Sequence, residues 1–350
     1  MTYRCNHRCL FCSCPWEAGD APPNGLPRGT EMPTAEWKET ISTLCRMGCS
    51  NLAFTGGEAL LREDIFDLLA YAGTCRAEHI ESKNGELVSH FGPPKLYLLS
   101  NGTTVTPETL RFCRDHDVQL SLSLPGLSTL REHTGIGDPD VILRHFRAAR
   151  DLGLHTVVNV TVTRRNLPEL YETIAAAFLA GASQLLMNRF LPGGRGLAHA
   201  SELTLDAAGV RQMLDTAEAV QTAAGRYGSV GTELPKCAFE PGRYKRLTVG
   251  TRCSAALGFF VVGPDGHTRV CNHSPVNLVH VREIDKLKDH PYWRTFTQKQ
   301  YLPAACADCA QAGDCDGGCR EAAHIHGGSV DAQDPLLSAA CPQVVASSTG

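Results

Sequence analysis

The sequence predicts an α/β protein with a parallel sheet, followed by a smaller region that is rich in loops. Over the first 225 residues, short apolar runs alternate with amphipathic stretches, the pattern of βα units. Beyond about residue 225, helical periodicity fades while Gly, Pro, Cys and His accumulate. The 16 cysteines fall into two groups of eight, separated by a long cysteine-free middle. We therefore expect two domains, covering residues 1–225 and 226–350.

The predicted strands and helices follow one another along the first region. The strand candidates are Asn51–Thr55, Leu96–Ser100, Val118–Leu124, Thr156–Thr163 and Gln184–Phe190. The helix candidates are Thr34–Met47, Arg62–Ala72, Pro107–His116, Pro139–Leu152, Leu167–Ala180 and Leu205–Ala224. Five strands, with a further short one before Cys5, fit an open or partial βα barrel, and a doubly wound sheet fits almost as well. The polar segment Arg76–Lys95 interrupts the alternation and predicts a surface insertion.

Composition excludes several classes of protein. Apolar residues make up 43% and charged residues 20% of the chain, which excludes a mainly disordered protein. The net charge of −4 gives no strong field for nucleic acid or an anionic membrane, and no apolar run approaches the length of a membrane span. The first residues, MTYRCNHRCLFCSC, carry arginine and cysteine where a signal peptide is apolar. We therefore expect a cytoplasmic protein with reduced thiols.

The first cysteine motif has the spacing of a metal-binding loop. Small disulfide scaffolds contain about 8–10% cysteine. The 16 cysteines among these 350 residues are a smaller fraction than that. Clustered reduced thiols indicate a metal site instead. Cys5, Cys9 and Cys12 form C-x3-C-x2-C. Three thiolates would leave one position of a four-iron cluster open for chemistry. The alternative is a zinc knuckle with Cys14 as the fourth ligand.

Three motifs together resemble the radical S-adenosylmethionine (SAM) enzymes. The segment CNHRCLFC, with Phe11 before the third cysteine, is similar to their cluster-binding signature. Phe54-Thr55-Gly56-Gly57-Glu58 resembles their GGE segment, and Ser100-Asn101-Gly102-Thr103 resembles their TNGT element. Over residues 1–225, the resemblance implies a partial (βα)6 barrel that binds a [4Fe-4S] cluster and SAM. Only Met1–Arg4 precede Cys5, so the first strand is predicted to be very short, or the true start lies upstream.

The resemblance also implies the residues that contact SAM. Gly56 and Gly57 would let the backbone approach the ligand, and Glu58 would accept hydrogen bonds from its ammonium group. Further predicted contacts are Phe11, Ser100, Asn101, Ser121, Ser123, Asn159, Arg189 and Leu191. For the residues on later strands, the alternative is a role in the core or in the strand ladder.

The late cysteines resemble the SPASM domain, an iron–sulfur extension of radical SAM enzymes that mature peptides and proteins. Their pattern is C-x12-G-x4-C, C-x2-C-x5-C-x3-C and a final cysteine. The seven are Cys253, Cys271, Cys306, Cys309, Cys315, Cys319 and Cys341. A zinc ribbon is the alternative, although only one C-x2-C pair is present. The segment 257–271, with Pro264-Asp265-Gly266 at its centre, predicts a β-hairpin in this region.

Counting thiolates supports three [4Fe-4S] clusters. Three clusters, one of them open to SAM, need eleven thiolates, and the two motifs supply ten. Cys237 is the remaining late cysteine and the candidate eleventh ligand. By resemblance, the first auxiliary cluster is held by Cys253, Cys271 and Cys319 with Cys237, and an open iron is the alternative to Cys237. The second auxiliary cluster is held by Cys306, Cys309, Cys315 and Cys341.

The resemblance implies an enzyme that cleaves SAM to a 5′-deoxyadenosyl radical, which abstracts a hydrogen atom from its substrate. We expect a ribosomally made peptide that receives a thioether or carbon–carbon cross-link. Sulfatase maturation, quinone-cofactor synthesis and haem side-chain modification, including small-molecule substrates, are alternatives. A flavodoxin or ferredoxin would donate electrons, and a separate protein would help to recognise the peptide, since no recognition module precedes the cysteine loop. A non-enzymatic iron–sulfur or zinc scaffold is the alternative from another class.

Overall fold

The main body of the protein is a seven-stranded parallel sheet flanked by helices. This computed structural model describes residues 1–17, 28–83 and 85–337. The sheet has the order β1-β4-β5-β6-β7-β8-β9. Its strands are β1 (Asn51–Phe54), β4 (Lys95–Ser100), β5 (Val118–Ser123), β6 (Thr156–Val162), β7 (Gln184–Arg189), β8 (Gly228–Val230) and β9 (Leu247–Val249). Every neighbouring pair is parallel, so the chain crosses from strand to strand through helices.

The helices occupy the predicted stretches and confirm the α/β class. Between and after the strands lie α1 (Thr34–Arg46), α2 (Ile65–Thr74), α3 (Pro107–Asp115), α4 (Leu130–Thr134), α5 (Pro139–Asp151), α6 (Leu170–Ala180), α7 (Ala200–Leu203) and α8 (Ala207–Ala224). The five strands predicted from apolar runs all appear, within a few residues of the predicted ends. The sheet is open, as expected for a partial βα barrel rather than a closed one.

Side-chain periodicity explains why these segments fold as they do. Strand β6 alternates buried and partly exposed residues along its whole length, the period-2 pattern of a strand. In α5, Ile142, Leu143, Phe146 and Ala149 are buried, which places them on one helical face. The Asp138 side chain accepts a 2.9 Å hydrogen bond from the Asp140 amide and caps that helix.

The segment before the cysteine loop pairs with the turn after β1. Residues Met1–Arg4 form no strand of the sheet. Instead the Gly57 amide donates to the Thr2 carbonyl at 2.8 Å, and the Glu58 amide donates to the Arg4 carbonyl at 2.8 Å. A Cβ on residue 57 would lie 2.2 Å from the Arg4 carbonyl oxygen, so glycine is required there. The glycine pair therefore seats the beginning of the chain beside the end of β1.

Two features differ from the simple βα alternation. The predicted insertion is an antiparallel hairpin of β2 (Ala77–Lys83) and β3 (Glu86–Gly92), which forms a separate two-stranded sheet. The main sheet also continues past residue 225, where the second domain was predicted to begin. Strand β8 pairs with β7, and β9 pairs with β8. Both are three residues long, too short for an apolar pattern to predict them.

The remainder of the chain has few regular elements. It contains the short hairpin β10 (Val261–Val262) and β11 (Thr268–Arg269), and the helices α9 (Pro291–Thr297) and α10 (Arg320–Gly327). The hairpin lies within the predicted segment. Arg320 is fully buried and donates to backbone carbonyls of Tyr301, Val330 and Ala332. Among the described residues, no helix is long and apolar enough to cross a membrane.

Candidate active site

One cavity of about 420 Å³ joins the two cysteine-rich parts of the chain. Strand ends of the parallel sheet line it, as they do in the sites of βα folds. Its cysteine lining comprises Cys5, Cys9, Cys12 and Cys14 from the first loop and Cys253, Cys271 and Cys319 from the last hundred residues. The fold therefore brings residues from both ends of the chain to one site.

Backbone hydrogen bonds fix the first cysteine loop against the sheet. The amides of Arg8 and Leu10 donate to the carbonyls of Thr134 and His133 at 2.9 and 2.8 Å. The Gly196 amide donates to the Cys12 carbonyl at 3.0 Å. These contacts come from α4 and from the segment after β7, so the loop is anchored on both sides of the cavity.

The thiols of this loop are partly buried and close to one another. Burial raises the pKa of the Cys5 and Cys9 thiols, and the neighbouring Cys12 raises both further. A hydrogen bond from the Cys14 thiol lowers the pKa of Cys12 to about 7. Buried thiolates need a compensating positive charge. An iron–sulfur cluster would provide that charge, so the donor set fits such a group.

Glu58 is a buried acidic group at this end of the cavity, and hydrogen bonds hold both of its oxygens. Its Oε2 atom accepts a 2.7 Å hydrogen bond from the Asn101 amide, and its Oε1 atom accepts a 3.1 Å hydrogen bond from the Leu60 amide. Burial raises the pKa of Glu58, and these hydrogen bonds oppose the rise. The Asn101 side chain in turn donates to Asn6 at 2.7 Å. The glycine-rich turn, the end of β4 and the cysteine loop are thus connected.

Most residues predicted to contact SAM face this cavity. Those on its wall are Phe11, Gly57, Glu58, Ser100, Asn101, Ser123, Asn159, Arg189 and Leu191. Gly56 and Ser121 are not among the lining residues. Gly56 supports the turn from behind, since a Cβ there would lie 2.7 Å from the Thr2 carbonyl oxygen. Ser121 lies deeper in β5, and it is buried.

Some of the late cysteines line the cavity, and others lie outside it. Cys253, Cys271 and Cys319 line the cavity, and burial raises the pKa of each thiol. The Cys253 amide donates to Asp316 at 2.7 Å, and the Cys319 amide donates to Asp334 at 2.8 Å. Two buried carboxylates therefore hold the backbone at these cysteines.

Cys306, Cys309 and Cys315 lie away from the cavity wall. The Cys309 amide donates to the Cys306 carbonyl at 3.2 Å. The Gly317 amide points to the Cys315 sulfur at 3.4 Å, a contact typical of thiolate ligands. Cys341, predicted to join them, lies outside the described residues.

The structure does not bring Cys237 to the cavity. Its side chain is exposed, at the short helical turn Lys236–Ala238. The amide of the preceding residue, Lys236, donates to the Cys315 sulfur at 3.4 Å. Cys237 was predicted to join Cys253, Cys271 and Cys319. Its neighbour Lys236 instead contacts Cys315, a member of the second predicted group.

Among the residues that the structure describes, no three Cys, His, Asp or Glu side chains converge tightly enough to bind one metal ion. A four-iron cluster distributes its thiolates over separate iron atoms, so its ligands need not converge on one point.

Sequence reasoning did not assign several ionisable residues to the site. Glu233, His273 and Glu321 all line the cavity. Burial raises the pKa of Glu233 and lowers the pKa of His273 to about 4. Arg189 forms a buried, two-pronged ion pair with Asp334, 145 positions away. No local motif signals these residues, because their positions follow from strand register and from how the tail packs on the sheet.

Comparison with known proteins decides the family. The model of the Radical SAM superfamily matches residues 1–177, slightly more than half of the chain. The chain belongs to the radical SAM superfamily. It is therefore an enzyme rather than a non-enzymatic scaffold, and its family binds SAM and a [4Fe-4S] cluster. Cys5, Cys9 and Cys12, with Gly57 and Glu58, lie within the matched part.

Relatives of this radical SAM enzyme have more than one named activity. The AdoMet-dependent heme synthase of Nitratidesulfovibrio vulgaris is 25% identical over 359 residues, which cover 97% of this chain and 90% of the relative. Mycofactocin maturase MftC of Mycolicibacterium smegmatis is 26% identical over 349 residues, covering 96% and 80% of the two chains. Streptococcus suis SuiB bound to the precursor peptide SuiA shares the fold, with a TM-score of 0.68 and 15% identity over 96% of this chain and 74% of SuiB.

Proposed function

We propose that this radical SAM enzyme modifies a ribosomally made peptide by forming a thioether or carbon–carbon cross-link, using three [4Fe-4S] clusters. One observation carries the proposal. The cysteine loop and Glu58 share a cavity with Cys253, Cys271 and Cys319. A substrate in that cavity would be within reach of SAM on one side and of an auxiliary cluster on the other.

The first end of the cavity would hold SAM. Cys5, Cys9 and Cys12 would bind a cluster with one open iron, and Glu58 would hold the SAM ammonium group. When bound and reduced, the cluster would supply the electron for SAM cleavage and so the radical that abstracts a substrate hydrogen. The chain's own contribution is to orient both molecules and to exclude water, because Glu58 is buried and the three thiols are partly buried.

The other end would hold the auxiliary clusters. Cys253, Cys271 and Cys319 would bind the first, and Cys306, Cys309, Cys315 and Cys341 the second. The sequence leaves Cys237 or an open iron as the fourth position of the first cluster. The exposure of Cys237, away from the cavity wall, favours the open iron. Such a cluster would accept the electron that a cross-linking reaction removes from the substrate radical.

Two relatives support different substrates. SuiB was crystallised with a precursor peptide, and 96% of this chain aligns with 74% of SuiB, which supports a peptide. The heme synthase relative supports haem side-chain modification as the second candidate. A flavodoxin or ferredoxin as electron donor and a separate peptide-recognition protein complete the proposal.

Co-expression with short peptides encoded beside the gene tests the peptide substrate. A cross-link removes two hydrogens from the peptide, and tandem mass spectrometry locates the bond. A variant with Cys5, Cys9 and Cys12 replaced by Ala is the control and should return the peptide unchanged. Conversion of a tetrapyrrole but not of any such peptide would favour the haem candidate instead.

A further inference from the structure

Three residues of the cavity wall have a buried polar atom without a hydrogen-bond partner among the described residues. The atoms are Nε1 of Trp16, Oγ1 of Thr232 and Nε of Arg189, and the last two belong to neighbouring strand ends. Thr232 is only 3% exposed and Arg189 only 5% exposed, so bulk water does not solvate either side chain freely. Leaving a buried polar atom without a partner is unfavourable, because it has lost its hydrogen bonds to water. Such atoms on the wall of a cavity indicate a ligand that completes them.

Strand register places these two atoms in the same part of the cavity. Strands β7 and β8 are parallel, with Met187 opposite Val230, and the Gly231 amide continues the ladder to the Met187 carbonyl at 2.9 Å. Arg189 lies two residues after Met187, and Thr232 lies two residues after Val230, so both follow the last pair of the ladder. The Nη1 and Nη2 atoms of Arg189 each donate to Asp334, and Nε is the guanidinium nitrogen that has no partner among the described residues.

An acceptor lies next to this pair. Glu233 follows Thr232 and also lines the cavity. Its Oε1 atom accepts a 3.2 Å hydrogen bond from the Ser254 amide. A carboxylate can accept about four hydrogen bonds, so it has capacity for a ligand donor. The wall therefore offers an N–H donor, a hydroxyl and a carboxylate side by side.

We propose that Arg189, Thr232 and Glu233 form a subsite that binds a backbone amide group of the substrate. The amide N–H would donate to Glu233, and the amide carbonyl would accept from Arg189 Nε and the Thr232 hydroxyl. This subsite rests on the proposed function and deepens it, because it selects a peptide over other substrate classes.

The charges of the subsite exclude the alternatives to an amide. Asp334 already neutralises Arg189, so an anionic group such as a propionate would face Glu233 without a free cation. An ammonium group would satisfy Glu233 but leave the Arg189 and Thr232 donors unpaired. A neutral group with one donor and one acceptor satisfies all three side chains, and the peptide amide is such a group.

Binding of a blocked trialanine peptide to the reconstituted, SAM-loaded enzyme tests the subsite. The probes are N-acetyl-trialanine N-methylamide and analogues in which one internal amide at a time is replaced by an ester, which lacks the N–H. Saturation-transfer NMR measures their affinities. We expect one ester to bind about tenfold more weakly than the amide, as the loss of a hydrogen bond to a charged group predicts.

Two variants assign that difference to the subsite. In Glu233→Gln, the amide should bind about tenfold more weakly than in the wild type, and the ester should bind almost as well as the amide. In Thr232→Val, which loses a donor to the carbonyl that both probes carry, amide and ester should both bind about tenfold more weakly, and the preference for the amide should remain. Thr248→Val is the matched control, since Thr248 is an exposed threonine on the adjacent strand β9. It should keep the full preference for the amide. Iron content and circular dichroism check that each variant folds.

The possible outcomes separate this inference from the proposed function. Amide affinity that falls in both variants, with the preference over the ester lost in Glu233→Gln, supports the subsite. No preference for the amide in the wild type, an unchanged preference in Glu233→Gln, or an unchanged amide affinity in Thr232→Val overturns it. Wild-type SAM cleavage is measured in parallel with dithionite as the reductant. If SAM is cleaved but the wild type shows no preference for the amide over the esters, only the subsite fails. If SAM is not cleaved, the proposed function fails.

Discussion

The Oε2 atom of Glu58 accepts a 2.7 Å hydrogen bond from the backbone amide of Asn101, 43 positions along the chain. This bond joins the glycine-rich turn after β1 to the end of β4. Glu58 is only 1% exposed, and the Leu60 amide binds its other oxygen. The carboxylate is therefore held in one orientation before any ligand arrives, which lowers the entropic cost of binding a cation.

Replacing Glu58 should weaken SAM binding. Glu58→Gln keeps the side-chain shape but removes the negative charge that would face the SAM ammonium group. We expect an affinity about tenfold or more lower, because a hydrogen bond to a charged group is worth about 1.5–3 kcal/mol. Equilibrium dialysis with the reconstituted enzyme measures it. Glu108→Gln, on the exposed first turn of α3, is the control; equal affinity in both variants would remove Glu58 from the SAM site.

Iron content should report three clusters. We expect about twelve irons per fully reconstituted chain. Replacing Cys5, Cys9 and Cys12 together with Ala should remove about four of them, because three thiolates hold that cluster. The matched control replaces Cys45, Cys49 and Cys75, which lie off the cavity, and should keep all twelve. An unchanged iron count in the first variant, or an equal loss in both, would contradict the assignment.

Replacing Cys237 tests whether the fourth position of the first auxiliary cluster is held by this cysteine or is an open iron. Its exposed position beside Cys315 leads us to expect that Cys237→Ala leaves the auxiliary signals unchanged in electron paramagnetic resonance. The measurement is made on reduced protein that also lacks the thiols of Cys5, Cys9 and Cys12, so that only auxiliary clusters contribute. A shifted signal or midpoint potential would return Cys237 to the ligand set, since ligand identity sets both.

Glu169 should make the loop after β5 sensitive to acid. Burial raises the pKa of Glu169, but hydrogen bonds from Thr129 and Ser128 outweigh burial and leave the pKa below its ordinary value. The Ser128 amide and hydroxyl donate at 2.8 and 2.7 Å, and the Thr129 amide donates at 3.1 Å. Because the folded pKa is lowered, this stabilisation is complete above about pH 4.5 and is lost as the pH falls through the folded pKa.

Hydrogen exchange of residues 126–134 measures that effect in the holoenzyme. Glu169→Gln should raise exchange there about fivefold at pH 7, because the amide side chain accepts fewer hydrogen bonds. The difference from the wild type should begin to narrow below about pH 4.5 and should disappear as the pH falls through the lowered folded pKa of Glu169, where the wild-type carboxylate becomes protonated. Glu172→Gln, on the exposed face of α6, should match the wild type throughout. A pH-independent difference would mean that charge plays no part.

The sequence predicted the elements whose signals are local. The apolar alternation of β6 and the amphipathic face of α5 depend only on neighbouring residues, and both appear where expected. Strands β8 and β9 are three residues long and were missed, because their only support is pairing with distant strands. The pairing of Met1–Arg4 with the glycine turn is equally non-local.

The same distinction applies to the site. The glycine and cysteine spacings lie within short segments, so the residues facing the first half of the cavity could be predicted. Arg189 was expected near SAM, but its ion pair with Asp334 buries its charge, and no spacing predicts a contact over 145 positions. Thr232 and Glu233 enter the cavity only through the register of β8 beside β7. Residues of this kind become visible only in the folded chain.

Cleavage of SAM by the purified protein tests the central claim most directly. The protein is reconstituted anaerobically with iron and sulfide, reduced with dithionite and incubated with SAM. We expect 5′-deoxyadenosine and methionine in equal amounts from the wild type, and neither product from the variant in which Cys5, Cys9 and Cys12 are replaced by Ala. A fully reconstituted wild-type protein that forms no 5′-deoxyadenosine, or a triple variant that forms as much as the wild type, would contradict the account.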